Sequence, residues 1–374
     1  MSDATKPNLK PNIGKSVIDS KRNDDDTGTP DNILLMGIDL GTSRSSIVTM
    51  DGKRKTVESY VGYAKDAVSR KFLKTDVLFG RQALDNRLAV DLYRPLEKGV
   101  IKGTFEGEGG TVDAEKKNVL AAQDLIRHLV DLVEPGRDEV IYGVVGVPSL
   151  ATAKNKTAII EAAKESLDAV MLVSEPFTVA YGMERMSDVL VIDIGAGTTD
   201  LCRMHGTVPG PDDEITYPIA GDAIDQKLFD LIKTKYPTAQ LTINMCKTFK
   251  ETYGYVSDTK DKIEVIIPVD GKPVPHDITD LMKQACEILV DPIVTGIHKL
   301  VSTFNPEFQE KLRQNIVLSG GGGQMDGLDK RVMEGMKAYG GGKVTVVEEP
   351  LYAGANGALQ LAIDMPTDFW QQLR

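Results

Sequence analysis

Two stretches of the chain share one pattern of apolar and polar positions. Residues 33–40 (ILLMGIDL) are nearly all apolar, give way to a Gly-Thr-Ser turn, and are followed by a short apolar run at residues 46–50 (SIVTM). Residues 189–194 (VLVIDI) likewise lead into a glycine-rich turn and a second apolar run. Each stretch is therefore predicted to form a strand, a tight turn and a second strand. The unbroken apolar character of the first run indicates burial on both faces, as in the middle of an α/β sheet.

The remaining apolar periodicities predict alternating helices and strands. Between the two hairpins we expect a helix over residues 114–133, a strand over 140–147, a helix over 152–166, a strand over 169–173 and a helix that opens at Ser174-Glu175-Pro176. Later we expect helices over 223–234 and 243–252, a β-hairpin over 262–274 that turns at Asp270-Gly271, one long helix over 277–304, strands over 315–318 and 344–347, and a helix over 354–363. The repeated hairpin predicts two related α/β halves.

Composition narrows the class of protein. The chain has 374 residues, enough for two domains with substantial cores. Its net charge of −11 argues against a broad nucleic-acid-binding face, and we expect no nucleic-acid partner. Three well-separated cysteines without C-x-x-C spacing predict neither a disulfide framework nor a zinc site, and they favour a reducing compartment. No apolar run reaches the about 18 residues of a membrane-spanning helix, so we expect a cytoplasmic protein without direct membrane insertion.

The N-terminal region differs from the rest of the chain. Residues 1–32 are polar, interrupted by proline and scattered in charge, and they lack the apolar core of a signal peptide. Such a segment cannot bury enough apolar surface to offset the entropy of folding, so we predict a disordered tail. The alternative is a segment that docks onto a partner.

Three glycine-rich turns follow predicted strands and carry the candidate chemistry, at residues 41–43, 195–199 and 319–323. Glycine lets the backbone approach a polyphosphate and present its N–H groups, and the neighbouring hydroxyls add donors. Asp39 and Asp193 lie at the ends of the two strands, where their carboxylates would repel a phosphate directly. A Mg²⁺ ion between carboxylate and phosphate would remove this repulsion, because Mg²⁺ takes oxygen ligands from one or two carboxylates, water and phosphates. One such turn alone is more often a plain hairpin, but the three together favour a Mg²⁺–polyphosphate site.

These motifs resemble those of the actin, Hsp70 and sugar-kinase superfamily. Residues 37–42 (GIDLGT) are similar to its first phosphate motif, residues 193–200 (DIGAGTTD) to its second, and residues 317–321 (VLSGG) to its adenosine motif. Residues 250–256 (KETYGYV) resemble the actin segment in which an adjacent Lys and Glu contact adenosine. Residues 206–211 (GTVPGP) resemble the bacterial actin-like filament proteins of magnetosomes, and the likeness to MreB is weaker.

The resemblance implies an α/β fold of the actin type. Two lobes, each with a mixed or parallel sheet flanked by helices, would enclose a cleft that binds ATP or ADP with Mg²⁺. The first lobe is expected at residues 33–187, with a small insert at about 62–105, and the second at residues 188–363, with an insert at about 220–290. Residues 364–374 are expected to form a C-terminal tail.

The resemblance also implies which residues hold the nucleotide. The expected contacts are Asp39, Gly41, Thr42, Ser43, Arg44, Gly195, Ala196, Gly197, Thr198, Thr199, Lys250, Glu251, Gly320, Gly321, Gly322 and Gln324. Asp39 and Asp193 are expected to hold Mg²⁺ through water molecules. The side chain of Arg44 has two interpretations of equal weight, because it either reaches the phosphates or points to solvent.

Glu175 and Asp193 are the candidate catalytic residues for ATP hydrolysis. In-line attack of water on the γ-phosphate depends on positioning and charge neutralisation. Pro176 favours an extended backbone at Glu175, at the mouth of a helix, and the resemblance implies that this carboxylate lies beside the γ-phosphate. The alternative is an exposed acid that stabilises the start of the helix. Asp193 would contribute through Mg²⁺ or through the attacking water.

The implied function is assembly into filaments that depends on ATP. Phosphate loss in a cleft between lobes can change lobe closure, and head-to-tail contacts that do not close give open filaments. We therefore predict a cytoskeletal ATPase that polymerises with itself and organises magnetosomes, with magnetosome-associated proteins as further partners. The alternatives are a nucleotide-dependent scaffold with little hydrolysis and a phosphotransferase of the sugar-kinase type.

Overall fold

The computed structural model describes residues 32–102, 112–149, 151–258 and 261–374. The predicted N-terminal tail lies outside these ranges except for Asn32, and so do residues 103–105 of the predicted small insert. Within the described ranges, the chain forms two five-stranded sheets, three smaller sheets and the helices that surround them.

The first half of the chain supplies the elements up to residue 182. Its strands are β1 (Ile33–Leu40), β2 (Arg44–Thr49), β3 (Arg54–Glu58), β4 (Val61–Ala64), β5 (Val77–Phe79), β6 (Val90–Tyr93), β7 (Leu96–Glu97), β8 (Val100–Ile101), β9 (Val140–Val147) and β10 (Ala169–Ser174). Its helices are α1 (Ala67–Leu73), α2 (Gly80–Asp85), α3 (Val112–Asp131), α4 (Ala153–Ala163) and α5 (Glu175–Gly182). The predicted strands β1 and β9 are confirmed with the same bounds.

The second half supplies the elements from residue 187 onward. Its strands are β11 (Ser187–Ile194), β12 (Thr199–His205), β13 (Glu214–Tyr217), β14 (Glu264–Val269), β15 (Lys272–Asp277), β16 (Ile316–Ser319) and β17 (Val344–Val346). Its helices are α6 (Gly221–Lys235), α7 (Ile243–Tyr253), α8 (Thr279–Cys286), α9 (Val290–Ser302), α10 (Pro306–Arg313), α11 (Leu328–Met336), α12 (Pro350–Asp364) and α13 (Thr367–Leu373).

The two large sheets have the same topology, as the repeated hairpin predicted. The strand order is β10-β9-β1-β2-β3 in the first sheet and β17-β16-β11-β12-β13 in the second. In each sheet the middle strand, β1 or β11, starts an antiparallel meander on one side. On its other side it pairs with one parallel strand, β9 or β16, which in turn pairs with the parallel edge strand, β10 or β17. The fold is therefore the expected α/β fold of two lobes with mixed sheets, and equivalent turns follow the two middle strands.

Helices α5 and α12 join the two halves, and each packs on the sheet of the other half. Helix α5 follows β10 but contacts β11 and β12, whereas α12 follows β17 but contacts β1, β2 and β9. The helices also cross each other at Gly182 and Gly357, where a Cβ on Gly357 would overlap the carbonyl oxygen of Thr178. The domain boundary at residues 187/188 stays a prediction, and it falls after the first residue of β11, the middle strand of the second sheet.

The segment from residue 262 to residue 304 differs in part from its prediction. The hairpin turn at Asp270-Gly271 is confirmed, with positive φ at both residues. The single long helix over 277–304 is wrong, because Asp277 ends β15 and a 3₁₀ turn at Glu287–Leu289 separates α8 from α9. Pro292 lies in the first turn of α9, where its missing N–H leaves no broken helical bond, and so it favours a new helix start over a continuous helix.

Residues 364–374, expected to form a C-terminal tail, include helix α13. Trp370 is 2% exposed, and its ring stacks on Tyr142 of β9 with the centroids 5.2 Å apart. The large aromatic ring buries enough apolar surface to hold this end of the chain against the first sheet.

The described helices and cysteines bear on two sequence-based expectations. No helix in the described ranges combines the length and the apolar character needed to cross a membrane. Cys202, Cys246 and Cys286 are buried free thiols, consistent with small core residues.

Candidate functional site

A cleft of about 770 Å³ lies where the three glycine-rich turns converge. The turn between β1 and β2, which we call hairpin 1 (residues 39–46), forms one part of its wall. The turn between β11 and β12, which we call hairpin 2 (residues 193–200), forms another, and the 3₁₀ turn at Gly321–Gln324 after β16 forms a third. Because the two hairpins end equivalent strands of related sheets, the fold brings together motifs that lie far apart in sequence.

Nearly all of the predicted nucleotide contacts line this cleft. They are Asp39, Gly41, Thr42, Ser43, Arg44, Gly195, Ala196, Gly197, Thr198, Lys250, Glu251, Gly320, Gly321, Gly322 and Gln324, together with both predicted catalytic residues, Glu175 and Asp193. Thr199 does not line the cleft: its hydroxyl donates to the carbonyl of Ile219, shortly after β13, at 2.7 Å. The alternation of side chains along β12 explains this, since neighbouring residues of a strand face opposite ways.

Close backbone contacts account for the glycines of the hairpins. A Cβ on Gly197 would lie 2.6 Å from the Cα of Lys98, and one on Gly41 would overlap the carbonyl oxygen of Arg44. Gly320 has a φ of +73° as it leads into the 3₁₀ turn, a conformation that side chains disfavour. At Gly321, by contrast, no heavy atom lies within 4 Å of the position of a Cβ. This turn therefore leaves open space where a ligand can approach the backbone.

Four carboxyl groups gather at or just behind the floor of the cleft: Asp39, Glu175 and Asp193 line it, and the fully buried Asp200 lies close behind them. Glu175 and Asp200 are buried, with exposures of 8% and 0%, and Asp39 and Asp193 are partly buried at the ends of β1 and β11. Burial raises the pKa of Asp39 to about 6. Burial, together with the charges of Asp39 and Asp200, raises the pKa of Asp193 to about 7. The pKa of Glu175 lies well above its usual range, first because of burial and then because of the other three carboxylates.

The donor set of this floor fits a hard divalent cation. All four groups offer oxygen, the ligand atom that Mg²⁺ prefers, and a cation would favour their ionised forms. One oxygen of Asp200, Oδ2, is buried without a hydrogen-bond partner, while Oδ1 accepts from the backbone of Ser149 and the hydroxyl of Thr216. Among the described residues, no three His, Cys, Asp or Glu side chains converge on one point as a complete metal site. Such a floor suits Mg²⁺ that keeps waters and phosphate oxygens as ligands.

Helix α5 places Glu175 at the floor of the cleft. The helix begins at Glu175 itself, directly after β10, with Pro176 in its first turn. The hydroxyl of Thr178 donates to the Glu175 carbonyl at 2.7 Å. The side chain of Glu175 lies beside Gly146 of the neighbouring strand β9 and is only 8% exposed. The alternative of an exposed helix-start acid is therefore wrong for Glu175.

The wall formed by α6 and α7 carries a dense set of charges. Nζ of Lys250 lies 2.8 Å from Oδ1 of Asp225 and donates to the carbonyl of Gly221 at 2.9 Å, which ties α7 to the start of α6. The side chain of Glu251 is 54% exposed at the rim. Both predicted adenosine contacts thus lie at the cleft, but Lys250 is also part of a buried ion pair.

Sequence reasoning missed several lining residues. Lys247 precedes Lys250 by one helical turn, and its Nζ donates to the hydroxyl of Ser43 in hairpin 1 at 2.7 Å. The i, i+3 spacing of the two lysines was a readable signal, since such residues share a helix face. Asp222 and Leu351 also line the cleft, from the first turns of α6 and α12, and carried no comparable signal. Arg44 is exposed on the wall, and the structure leaves its two interpretations open.

Comparisons with known proteins agree with this geometry. The family model described as MreB/Mbl protein matches residues 34–367. The actin-like protein MamK of Paramagnetospirillum magneticum is 36% identical over 346 residues, which cover 92% of this chain and 97% of that protein. A solved MamK double helical filament has a TM-score of 0.84 at 36% identity and is covered over 100% of its length, against 90% of this chain. A non-polymerising MamK mutant bound to AMPPNP has a TM-score of 0.67 at 36% identity, covering 89% of this chain and 99% of its own.

Proposed function

The chain belongs to the MreB/Mbl family of actin-like proteins, and we propose that it is an ATP-hydrolysing cytoskeletal protein that polymerises with itself. The convergence of two Asp-ending hairpins and a glycine turn on one cleft carries the proposal. The likeness to a double helical filament along nearly the whole chain supports self-assembly. The same likeness favours a filament over a phosphotransferase of the sugar-kinase type, which would need a second substrate.

The nucleotide is proposed to lie with its phosphates between the two hairpins. Backbone N–H groups of hairpin 1 and hairpin 2 would cradle the phosphates, as glycine turns do. The space beside Gly321 and the charged wall at Lys250 and Glu251 would receive the adenosine. Bound AMPPNP in a MamK relative supports a nucleotide in this cleft.

Asp39 and Asp193 are proposed to hold Mg²⁺ through water molecules. When bound, the ion would neutralise charge on the phosphates and on the carboxyl floor. The raised pKa values of both aspartates, caused first by burial, indicate a floor where a cation is favourable. Asp200 is buried close to Asp193 and raises its pKa, so it adds to the negative charge that a cation would offset.

Glu175 is the proposed residue that orients the attacking water, with Asp193 as the second contributor. Its carboxyl lies at the floor beside the other three acids, where it can accept a proton or a hydrogen bond from water. A scaffold with little hydrolysis would have the same cleft with an idle Glu175. Single-turnover phosphate release distinguishes these two functions, since only the ATPase releases phosphate at a rate above the protein-free control.

Sedimentation tests the proposal as a whole. Purified protein is centrifuged at high speed with Mg²⁺ and ATP, AMPPNP or no nucleotide, and the pellets are imaged by electron microscopy. We expect filaments in the pellet with ATP or AMPPNP and soluble protein without nucleotide. Protein that stays in the supernatant at high concentration under all three conditions would exclude the filament.

The cellular role is proposed by relationship to MamK. We propose a cytoplasmic filament that organises magnetosomes, with magnetosome-associated proteins as further partners. A fluorescent fusion in a magnetosome-forming host that lacks its own filament protein tests this role. Linear fluorescence along a restored magnetosome chain is expected, and diffuse fluorescence with dispersed magnetosomes would contradict it.

A further inference from the structure

One arginine links the two hairpins of the cleft. Arg94 lies between β6 and β7, in the insert of the first half, and its Nε donates to the carbonyl of Thr42 in hairpin 1 at 2.9 Å. Its two terminal nitrogens contact the two carboxylate oxygens of Asp222 at 2.9 and 3.0 Å. The planar guanidinium therefore engages both a backbone carbonyl and a carboxylate, which a lysine cannot match.

Asp222 is in turn fixed to hairpin 2. It lies in the first turn of α6, and its backbone N–H donates to the carbonyl of Ala196 at 2.7 Å. The preceding residue, Gly221, donates to the carbonyl of Gly195 at 3.2 Å. Hairpin 1, Arg94, Asp222 and hairpin 2 thus form one continuous chain of hydrogen bonds across residues from both halves of the protein.

The segment that carries Arg94 also covers the hairpins with its backbone. The N–H of Gly99 donates to the hydroxyl of Thr42 at 2.7 Å, and the backbone of Lys98 lies against Gly197 of hairpin 2. The Thr42 carbonyl held by Arg94 belongs to the same trans peptide as the N–H of Ser43, which must point the opposite way. Arg94 therefore fixes the orientation of a peptide whose Ser43 side lines the cleft.

We propose that Arg94 is a positioning residue that couples nucleotide retention to the contact between the two halves of the protein. While its bonds to Thr42 and Asp222 hold, the two hairpins keep their relative positions around the phosphates. When they break, the hairpins can separate and the nucleotide can leave. The inference rests on the proposed function, because it assumes that the cleft binds ATP or ADP.

The ion pair is accessible enough to open. The side chains of Arg94 and Asp222 are 29% and 38% exposed, so water and salt weaken their attraction. Loss of a hydrogen-bonded charge pair that water screens in part is expected to change the rate constant for nucleotide release by about tenfold. Nucleotide release that accelerates with ionic strength is therefore expected from the native protein.

Nucleotide dissociation measured on the full chain tests the coupling. A fluorescent ATP analogue is bound with Mg²⁺ below the polymerisation threshold and chased with excess unlabelled ATP in a stopped-flow instrument. Arg94→Ala and Asp222→Asn are each expected to accelerate release about tenfold. The double variant should release no faster than the quicker single variant, since both substitutions break one interaction. Arg94→Lys should fall between Arg94→Ala and the native protein.

A matched control and the contradicting outcomes complete the test. Arg81→Ala removes the exposed ion pair with Asp85 on α2 in the same insert, and release at the native rate is expected. Native release rates in Arg94→Ala, or fully additive effects in the double variant, would overturn the coupling. If the native protein failed to bind the analogue at all, the proposed function itself would fall. Melting temperatures near that of the native protein confirm that the variants are folded.

Discussion

At the scale of single residues, the floor of the cleft concentrates negative charge that the fold alone does not neutralise. Asp39, Glu175, Asp193 and Asp200 face one another, and each has a raised pKa for which burial is the first cause. An acid whose pKa is raised in the folded state stabilises that state only while it is protonated. As the pH rises and these acids ionise, the nucleotide-free protein should therefore lose stability. Bound Mg²⁺ and nucleotide would prevent this loss.

The first prediction concerns the pH dependence of stability. Burial raises the pKa of Asp193 in the folded state to about 7, well above the ordinary value near 3.8, so the folded state binds more protons between these values. The free energy of unfolding of the nucleotide-free protein should then fall as the pH rises from about 4 to 7, by about 3 kcal/mol for this residue. Urea unfolding in EDTA measures it, and Asp193→Asn should reduce the slope. A variant with the same pH slope as the native protein would contradict the prediction.

The second prediction concerns Glu175. Glu175→Gln keeps the shape of the side chain and removes its basicity, so phosphate release should slow by about 10²-fold while filaments still form with ATP. Phosphate release and sedimentation on the same sample measure both effects. Glu161→Gln, an exposed residue of α4, is the matched control and should change neither. Equal phosphate release from Glu175→Gln and the native protein would remove this residue from the catalytic role.

At the scale of elements, the crossing of α5 and α12 holds the two sheets together. Each helix packs on the sheet of the other half, and a shared core that includes Phe177, Val191, Val317 and Ala358 lies among them. The approach at Gly182 and Gly357 is closer than side chains permit. Since Glu175 starts α5 and Leu351 near the start of α12 lines the cleft, this crossing also sets the shape of the site.

The third prediction tests this crossing. Gly357→Ala places a methyl group against the Thr178 carbonyl, which belongs to helix backbone and cannot rotate away. The free energy of unfolding should fall by about 1–3 kcal/mol, or more if the helices cannot separate. Chemical denaturation of nucleotide-free protein measures it. In Gly321→Ala the new methyl has open space, so unchanged stability is expected there, and equal losses in both variants would contradict the role of the crossing.

At the scale of the whole molecule, the proposed nucleotide cleft would couple nucleotide state to assembly. Its walls come from both halves of the chain, so a change at the phosphates can alter how the halves meet, and through them the surfaces that contact other subunits. The net charge of −11 opposes association between copies, and specific contacts must outweigh this repulsion for a filament to form.

The fourth prediction follows the filament through time. With ATP, light scattering should rise on assembly and then fall as phosphate is released. Hydrolysis would change how the two halves of the protein meet, and the subunit contacts depend on that arrangement. With AMPPNP, or with ATP and the Glu175→Gln variant, scattering should rise and stay. Simultaneous scattering and phosphate measurements check the order of events. Disassembly at the same rate with AMPPNP as with ATP would show that filament turnover does not depend on hydrolysis.

Local patterns predicted most of the fold but not all of its boundaries. The strands at residues 33–40 and 140–147 were predicted with their observed bounds, since continuous apolar runs end abruptly at polar turns. The long helix over 277–304 was wrong because apolar periodicity alone does not reveal a 3₁₀ break before Pro292. Helix α13 depends on Trp370 meeting Tyr142, a contact between distant residues that no local pattern contains.

The candidate site divides in the same way. The sequence by itself determined the hairpins, their glycines and the positions of Asp39 and Asp193, because a tight turn after a buried strand imposes strong local requirements on residue type. The tertiary structure alone decided that Asp200 joins the carboxyl floor, that Lys247 reaches Ser43, and that Arg94 meets Asp222 across 128 residues. These contacts depend on how two sheets and the segments inserted between their strands fold back on each other, and that packing leaves no periodic trace along the chain.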